Sequence, residues 1–169
     1  MNARLRAYFD RTVRELDPSA SVHAALQSRR DELATVDSVL VIAIGKAARK
    51  MATAALRALG MFANKATVRG LCVPPEPDSA ALSPLTVIPG GHPWPSEGSF
   101  LAARTALELC RSADARTFVL FLVSGGASSL CELPLDESIQ VPAWREFYRA
   151  LVGSGAGIES INTVRKFVS

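Results

Sequence analysis

The sequence predicts an α/β protein: a three-layer αβα, Rossmann-like domain with a mainly parallel sheet. Short apolar runs rich in β-branched residues alternate with longer runs that have helical spacing or a high alanine content. Strands that alternate with helices form parallel sheets with right-handed crossovers and helices on both faces. Apolar residues make up 49% and charged residues 21% of the 169 residues, which is the composition of one folded domain and not of a disordered chain.

The first predicted element is an amphipathic helix in the segment MNARLRAYFDRTVREL. Its four arginines are also typical of an organelle presequence, but the segment contains two acidic residues, which such presequences rarely have. The helix is predicted to end before Asp17-Pro18, and a second helix follows at about residues 22–33. We expect residues 1–36 to be a helical segment packed on a domain formed by residues 37–169. The apolar positions at helical spacing are Leu5, Phe9, Val13 and Leu16.

The middle of the sequence predicts the first two strands of the sheet and the helix between them. Residues 38–44 form a continuous apolar run with four β-branched residues, which is typical of a buried strand. Gly45 then turns the chain into an alanine-rich helix at 46–59, which Gly60 is predicted to end. A second strand follows at 66–73.

A proline-rich passage, residues 74–95, contains a third short strand at 85–88. Ser96 is a good N-cap for the next helix, and Glu97 in its first turn complements the helix dipole. That helix is predicted to end near residue 111. The remaining predicted elements are a strand at 117–123 and helices at about 143–152 and from 158 to the end of the sequence.

Three unusual loops follow predicted strands, at residues 45–46, 90–95 and 124–129. Ligands of parallel α/β sheets bind outside the carboxyl ends of the strands, so these loops are the candidate binding site. In the first loop, AIGKAARKM, Lys46 follows the turn at Gly45 and could reach an anionic group. The loop lacks Walker A spacing, and a solvated lysine at a helix start remains the alternative.

The second loop, PGGHPWPSEGS, holds His92 after Gly90 and Gly91. Flanking prolines stiffen it. A general base, a hydrogen bond to a phosphate or hydroxyl, and a structural contact are all open roles for His92. No second histidine and no cysteine lies at a chelating distance along the chain, which argues against a zinc site.

The third loop, within FLVSGGASSL, places small residues and hydroxyls where a strand meets a helix. Such a turn can offer several backbone N–H groups to a phosphate, although similar turns also occur without ligands. It is not the G-x-S-x-G pattern of a serine hydrolase. The candidate residues of this loop are Ser124, Gly125, Gly126, Ala127 and Ser128.

The last predicted helix carries Asn162, Arg165 and Lys166 at spacings that place Arg165 and Lys166 on the same face as Asn162. This face could bind an acidic substrate, or it could be an ordinary charged outer surface.

Charge and cysteine content limit the partners. The net charge is +3 and the basic residues are scattered, so nucleic-acid binding is not predicted. The longest wholly apolar runs have six residues, too few to cross a bilayer. An odd number of distant cysteines among apolar neighbours predicts buried free thiols and a cytoplasmic protein. These cysteines are Cys72, Cys110 and Cys131.

Four segments in this order, IGKAARKMA, PGGHPWPSEGS, LVSGGASSL and GSGAGIESINTVRKFVS, resemble the N-terminal domain of the glycerate 2-kinase family. Members of that family also carry the name hydroxypyruvate reductase, and their second half is called the MOFRL domain. The resemblance covers about residues 37–169. It implies a Rossmann-like αβα domain of an enzyme that transfers the γ-phosphoryl group of ATP to the 2-hydroxyl of D-glycerate, with Mg²⁺, in a cleft between two domains.

The resemblance also implies roles for particular residues. Lys46 matches the family's lysine after glycine, and Arg165 lies in its asparagine–arginine–lysine helix; these two are the expected catalytic residues. The expected binding residues are Gly45, Gly90, Gly91, His92, Ser124, Gly125, Gly126, Ala127, Ser128, Asn162 and Lys166. The sequence identifies no Mg²⁺ ligands.

Two departures from the family pattern shape the expectation. Phe167 stands where the family usually has histidine, and the sequence ends at Ser169, where family members continue into a second domain. We therefore expect a fragment that is inactive or incomplete without a C-terminal kinase half or self-association. The alternative is a non-catalytic phosphosugar-binding module, because VIAIGKAARKMATAALRALG is similar to the glycine turn of sugar isomerase domains.

Overall fold

A computed structural model describes residues 3–15 and 17–169. Within them, four strands form one sheet in the order β3-β2-β1-β4, and every neighbouring pair is parallel. The strands are β1 (Ser38–Ile44), β2 (Thr67–Val73), β3 (Leu85–Val87) and β4 (Thr117–Val123). The helices are α1 (Ala3–Glu15), α2 (Pro18–Gln27), α3 (Arg30–Leu33), α4 (Ala48–Phe62), α5 (Glu97–Arg111), α6 (Ala127–Leu130), α7 (Val141–Gly153) and α8 (Ile158–Lys166).

The register of the sheet brings the loops after β1 and β4 to the same edge. Ile44, the last residue of β1, lies opposite Val73 of β2 and Val123 of β4. The carboxyl ends of these three strands are therefore level, and the segments that follow them are neighbours. The predicted parallel α/β fold is confirmed.

The two faces of β1 belong to different apolar clusters. Val39, Val41 and Ala43 pack in one cluster with α2 and α4, while Leu40 and Ile42 pack in another with α5. All five side chains are fully buried. This alternation produces the predicted three layers, because each face of a central parallel strand needs its own helical cover.

Edge strand β4 is covered on one face only. Leu122 is buried in the cluster that contains α4. Val119, Phe121 and Val123 lie on the α5 side of the sheet, and Phe121 and Val123 are 54% and 62% exposed. Helix α5 covers β1 and β2 on that side but leaves β4 open.

A third apolar cluster holds the C-terminal helices against the start of α5. Phe100, Trp144 and Tyr148 are buried in it, and Val168 packs against them. The Leu135 N–H also donates to the Val168 carbonyl over 2.8 Å. Helices α7 and α8 are therefore anchored beside the sheet edge that carries the loops.

Three of the predicted helices differ from the structure; one of them is α8, which ends at Lys166 and not at the end of the sequence. The predicted helix at 22–33 is two helices, α2 and α3, and α2 begins earlier, where the Asp17 carboxylate accepts from the Ser19 N–H and Pro18 occupies the first turn. Gly60 does not end α4, which continues to Phe62. Packing of Phe62 on the core offsets the cost of about 1 kcal/mol that glycine brings to a helix interior.

The N-terminal part contains two helices with residues buried in the core, α2 and α3, and one with exposed apolar residues, α1. Val22 and Leu26 of α2 are buried against α4. In α1, the side chains of Leu5 and Phe9 are exposed. Leu16 and the side chain of Val13 lie outside the described residues, so the division at residues 36 and 37 stays a prediction.

The cysteines are free, as expected, but only Cys72 is fully buried; Cys110 and Cys131 are half-buried. Burial raises the pKa of the Cys72 and Cys131 thiols to about 11, which keeps both protonated near neutral pH. No helix in residues 3–15 and 17–169 is both long and apolar enough to cross a membrane.

Candidate functional site

The loops after β1 and β4 form a single hydrogen-bonded unit. The Ser124 N–H donates to the Ile44 carbonyl over 3.0 Å, and the Lys46 N–H donates to the Gly125 carbonyl over 3.0 Å. The Ser124 hydroxyl accepts from the Ala47 N–H at 3.0 Å. Ser124 therefore caps the start of the helix that follows Lys46, and the two loops hold each other in place.

Gly45 makes this close approach possible. Its φ of +122° lies in the region that favours glycine, and a Cβ atom here would overlap the Ser124 hydroxyl and carbonyl. Its N–H donates to the Val73 carbonyl over 3.2 Å and is not available to a ligand. Gly45 contributes a turn and not a binding group.

Gly90 and Gly91 of the second loop also fit between other groups. Their N–H groups donate to the Pro74 carbonyl over 2.9 Å and to the Ser99 hydroxyl over 3.0 Å. A Cβ on Gly90 would overlap the Leu130 carbonyl. Gly90 thus lets the second loop approach Leu130, just after the third loop, while Gly91 fits against Trp94 and Ser96 of its own loop, and the backbone donors of both glycines are already used.

His92 is exposed and lies beside the third loop. Its Nδ1 is 2.9 Å from the Ser129 hydroxyl, and that hydroxyl donates to the Gly126 carbonyl over 3.1 Å. Since the single proton of Ser129 is used in that bond, Nδ1–H of His92 donates to Ser129 Oγ. In this tautomer Nε2 carries the lone pair and can accept a hydrogen bond.

The third loop, residues 124–129, is called the glycine loop here. Its Gly125, Gly126 and Ser128 N–H groups donate to no atom in the described part of the chain, whereas the Ala127 N–H donates to the Ser124 carbonyl over 3.3 Å. Gly126 has a φ of +89°. Successive free N–H groups around such a residue can bind an anion.

Lys46 and His92 approach the glycine loop at the same residue. The position that a Cβ of Gly126 would occupy is 3.5 Å from Cε of Lys46 and 3.3 Å from the His92 ring. The Lys46 side chain is exposed. A cation, an imidazole and open N–H groups therefore lie around Gly126.

Arg165 contacts the glycine loop two residues further along. Its Nη1 donates to the Ser128 hydroxyl over 3.1 Å and its Nη2 to the Ser128 carbonyl over 2.7 Å. A hollow of about 310 Å³ opens beside this contact. The residues that line it are Ser128, Asn162, Arg165, Lys166 and Ser169.

Two residues that sequence reasoning missed complete this side of the site. Glu132 is 5% exposed, accepts a hydrogen bond from the Tyr148 hydroxyl, and lies 3.4 Å from the Arg165 guanidinium. Burial raises the pKa of the Glu132 carboxyl above its usual value, and the Tyr148 and Arg165 contacts oppose that rise. A lone carboxylate and a tyrosine in a helix of mixed apolar and charged residues carry no sequence pattern that would have identified them.

The structure identifies no set of magnesium ligands among the described residues. No three His, Cys, Asp or Glu side chains in residues 3–15 and 17–169 are grouped to hold a metal ion. Glu132, the buried carboxylate nearest the glycine loop, is engaged by a guanidinium and a phenol. The cluster described here therefore consists of donors and cations, which suits an anion.

A larger hollow, of about 550 Å³, lies where α5 and α7 begin. Its charged lining is mixed: Arg145 and Arg149 face it together with Glu76, Glu97 and Glu146. Three carboxylates outnumber two guanidiniums in this lining, so it suits an anion less well than the glycine loop, which has the cations Lys46 and Arg165 beside it.

Residues 4–169 match the model of a family described as a domain of unknown function, DUF4147. The chain belongs to the DUF4147 family. The match includes every predicted site residue.

Relatives of this DUF4147 chain have related names. The D-glycerate 2-kinase of Thermotoga maritima is 41% identical over 135 residues, which are 79% of this chain and 31% of that protein. The glycerate 2-kinase of Pyrococcus horikoshii is 40% identical over 131 residues, 78% of this chain and 28% of that protein. These names agree with the family resemblance found in the sequence.

A solved structure of the Thermotoga maritima glycerate kinase matches the fold with a TM-score of 0.77 at 35% identity. The match covers 95% of this chain and 36% of that one. This chain thus spans about a third of the length of these relatives.

Proposed function

We propose that this chain forms one wall of the active site of an ATP-dependent glycerate 2-kinase, which phosphorylates D-glycerate to 2-phosphoglycerate. The observation that carries the proposal is the meeting of Lys46, His92 and Arg165 around the open N–H groups of the glycine loop. The relatives' names supply the reaction.

Phosphoryl transfer depends mostly on positioning and on stabilising charge at the three equatorial oxygens. In the proposal, the N–H groups of Gly125, Gly126 and Ser128 bind phosphate oxygens. Lys46 and Arg165 are the catalytic cations that stabilise the charge on the transferred group. Removing one such cation is expected to slow transfer by about two to three powers of ten.

The other site residues are proposed to bind the acceptor. Asn162 and Lys166 lie beside Arg165 on α8 and suit the carboxylate and hydroxyls of glycerate. His92 Nε2 is an acceptor for a substrate hydroxyl. Gly45, Gly90, Gly91, Ser124 and Ala127 shape the loops. ATP with Mg²⁺ is the proposed phosphoryl donor, and none of the residue roles given above is that of a Mg²⁺ ligand.

The other wall is proposed to come from a polypeptide equivalent to the remaining part of the relatives, or from a second copy of this chain. The chain spans about a third of the relatives' length, and the open face of β4 offers apolar surface for such a partner. A cytoplasmic location is proposed with it.

The test is a coupled assay for ADP release from ATP and D-glycerate. The chain alone is expected to show no turnover, and its mixture with the remaining part of the Thermotoga maritima relative is expected to show turnover that Lys46→Ala removes. Arg111→Ala, an exposed arginine at the end of α5, is the control. No turnover in the mixture, together with a melting temperature raised by phosphosugars and not by ATP, would contradict the proposal in favour of a phosphosugar-binding module.

A further inference from the structure

Glu132 is a buried carboxylate just beyond the glycine loop. It is 5% exposed; the Tyr148 hydroxyl and the Arg165 guanidinium lie within hydrogen-bond distance of its side chain, and Ser169 also interacts with it. Burying a carboxylate costs free energy unless it is paired and hydrogen-bonded. A buried acid with these two partners therefore constrains both of them.

The same guanidinium is held from two directions. Arg165 Nη2 lies 3.4 Å from each carboxylate oxygen of Glu132. The guanidinium carbon of Arg165 lies 4.7 Å from the centre of the Tyr148 ring, within the range of a cation–π contact. Tyr148 thus contacts Arg165 with its ring and Glu132 with its hydroxyl.

This arrangement fixes Arg165 against the glycine loop. Nη1 and Nη2 both donate to Ser128, whose own N–H is one of the free groups of the loop. The Arg165 side chain is only 15% exposed, so few other conformations are open to it. The guanidinium and the loop are thereby presented together to the 310 Å³ hollow.

We propose that Glu132 and Tyr148 are positioning residues that hold the Arg165 guanidinium at the glycine loop for anion binding. This inference rests on the proposed function, because it assigns the loop and Arg165 to a phosphate group. Neither Glu132 nor Tyr148 touches the anion; both act through Arg165.

The alternative is that the three residues only dock α7 and α8. A docking role would change the melting temperature but not the affinity of the folded protein for an anion. A positioning role changes the affinity, and only while Arg165 is present. The double-mutant cycle between Glu132 and Arg165 therefore separates the two roles.

The experiment measures the dissociation constant of the 169-residue chain for inorganic phosphate by NMR titration, well below each variant's melting temperature. Arg165→Ala is expected to weaken binding by about tenfold, as is typical of losing a charge-assisted contact. We expect Glu132→Gln to weaken it by about fivefold and Tyr148→Phe by about twofold to threefold, with no further loss when either is added to Arg165→Ala.

Matched controls are available for each change. Tyr8→Phe removes the hydroxyl of the other tyrosine, which is exposed in α1. Glu108→Gln and Arg111→Ala alter exposed residues of α5. All three controls are expected to bind phosphate as the unchanged chain does.

A second measurement does not need the anion. The side-chain Nε–H signal of Arg165 is expected to exchange slowly in the unchanged chain and to broaden in Tyr148→Phe. If Glu132→Gln does not fold, the phosphate affinity and the Arg165 Nε–H signal of Tyr148→Phe test the positioning role. Unchanged phosphate affinity and an unchanged Arg165 signal in a folded variant would overturn the positioning role while leaving the proposed function intact. If the unchanged chain binds no phosphate, the proposed function fails, and the positioning role fails with it.

Discussion

The two cations of the candidate site, Lys46 and Arg165, are positioned in opposite ways. The backbone of Lys46 is fixed by the Gly45 turn and by its hydrogen bond to Gly125, while its exposed ammonium makes no ion pair or hydrogen bond with residues 3–15 or 17–169. The guanidinium of Arg165 is held by side chains, with Glu132, Ser128 and Tyr148 around it.

Because they are held differently, the two cations are suited to different tasks in anion binding and phosphoryl transfer. A preorganised guanidinium has already lost its rotamer freedom during folding and binds an anion without that cost. A free lysine loses up to about 2 kcal/mol of side-chain entropy when it is ordered, but it can follow a group that moves during transfer. We therefore expect Arg165 to contribute to stability and binding, and Lys46 to contribute to binding and rate.

The largest expected effect tests the backbone that carries Lys46. Gly45→Ala places a Cβ against Ser124 at a φ of +122° and should lower the free energy of unfolding by more than about 3 kcal/mol. Urea denaturation followed by circular dichroism measures it.

Gly60→Ala is the matched control for that change. Gly60 is exposed in the interior of α4 with no neighbour within 4 Å of its Cβ position, so the substitution should stabilise the chain by about 0.5–1 kcal/mol. Equal effects of the two substitutions would contradict the role given to the Gly45 turn.

The next effect compares the two cations directly. Arg165→Ala leaves the buried Glu132 carboxyl without its charged partner and should cost about 2–3 kcal/mol of stability. Lys46→Ala changes an exposed side chain and should stay within about 0.5 kcal/mol. Both should weaken phosphate binding. If Lys46→Ala destabilised the chain as much as Arg165→Ala, the proposed difference between the two cations would be contradicted.

The pH dependence of stability tests whether the pKa of the Glu132 carboxyl is raised in the folded state. Burial raises the pKa of the Glu132 carboxyl in the folded state above its value in the unfolded state. Between these two pKa values the folded state binds more protons than the unfolded state. The contribution of Glu132 to stability therefore falls as pH rises through this range. As pH rises, the unfolding free energy of the unchanged chain should therefore fall relative to that of the Glu132→Gln variant. An opposite slope in denaturation series at several pH values would contradict the raised pKa.

A further expected effect concerns the hydrogen bond of His92. Ser129→Ala removes the acceptor of the Nδ1–H bond and should cost about 1 kcal/mol of stability. Nitrogen NMR of the ring should show the neutral His92 tautomer shifting from Nδ1–H towards Nε2–H, while His23, the other histidine, stays unchanged. An unaltered His92 tautomer would contradict the assigned hydrogen bond.

Much of the fold was predictable, since β1, β4 and α5 have the predicted boundaries. Their signals are local: continuous apolar runs, glycine turns and an N-cap serine. Sequence reasoning failed where distant packing decides, as at Gly60, where the burial of Phe62 continues α4.

The loops of the candidate site were predictable from the sequence, but the residues that hold Arg165 in place were not. Lys46 and Arg165 stand in recognisable segments, and the structure brings each of them to the glycine loop. The partners of Arg165 come from α6, from α7 and from the segment between them, and the contact of Glu132 with Tyr148 spans 16 positions along the chain. No local pattern encodes such a contact.

We expect the glycine loop to bind a phosphate group between Lys46 and Arg165. Titration of the chain with inorganic phosphate, followed by backbone amide NMR, tests it most directly. The account predicts that the largest shifts occur at the N–H groups of Gly125, Gly126 and Ser128, and that Lys46→Ala and Arg165→Ala reduce them. Shifts confined to the mixed-charge hollow at the start of α5 and α7, or no shifts in the glycine loop at saturating phosphate, would contradict it.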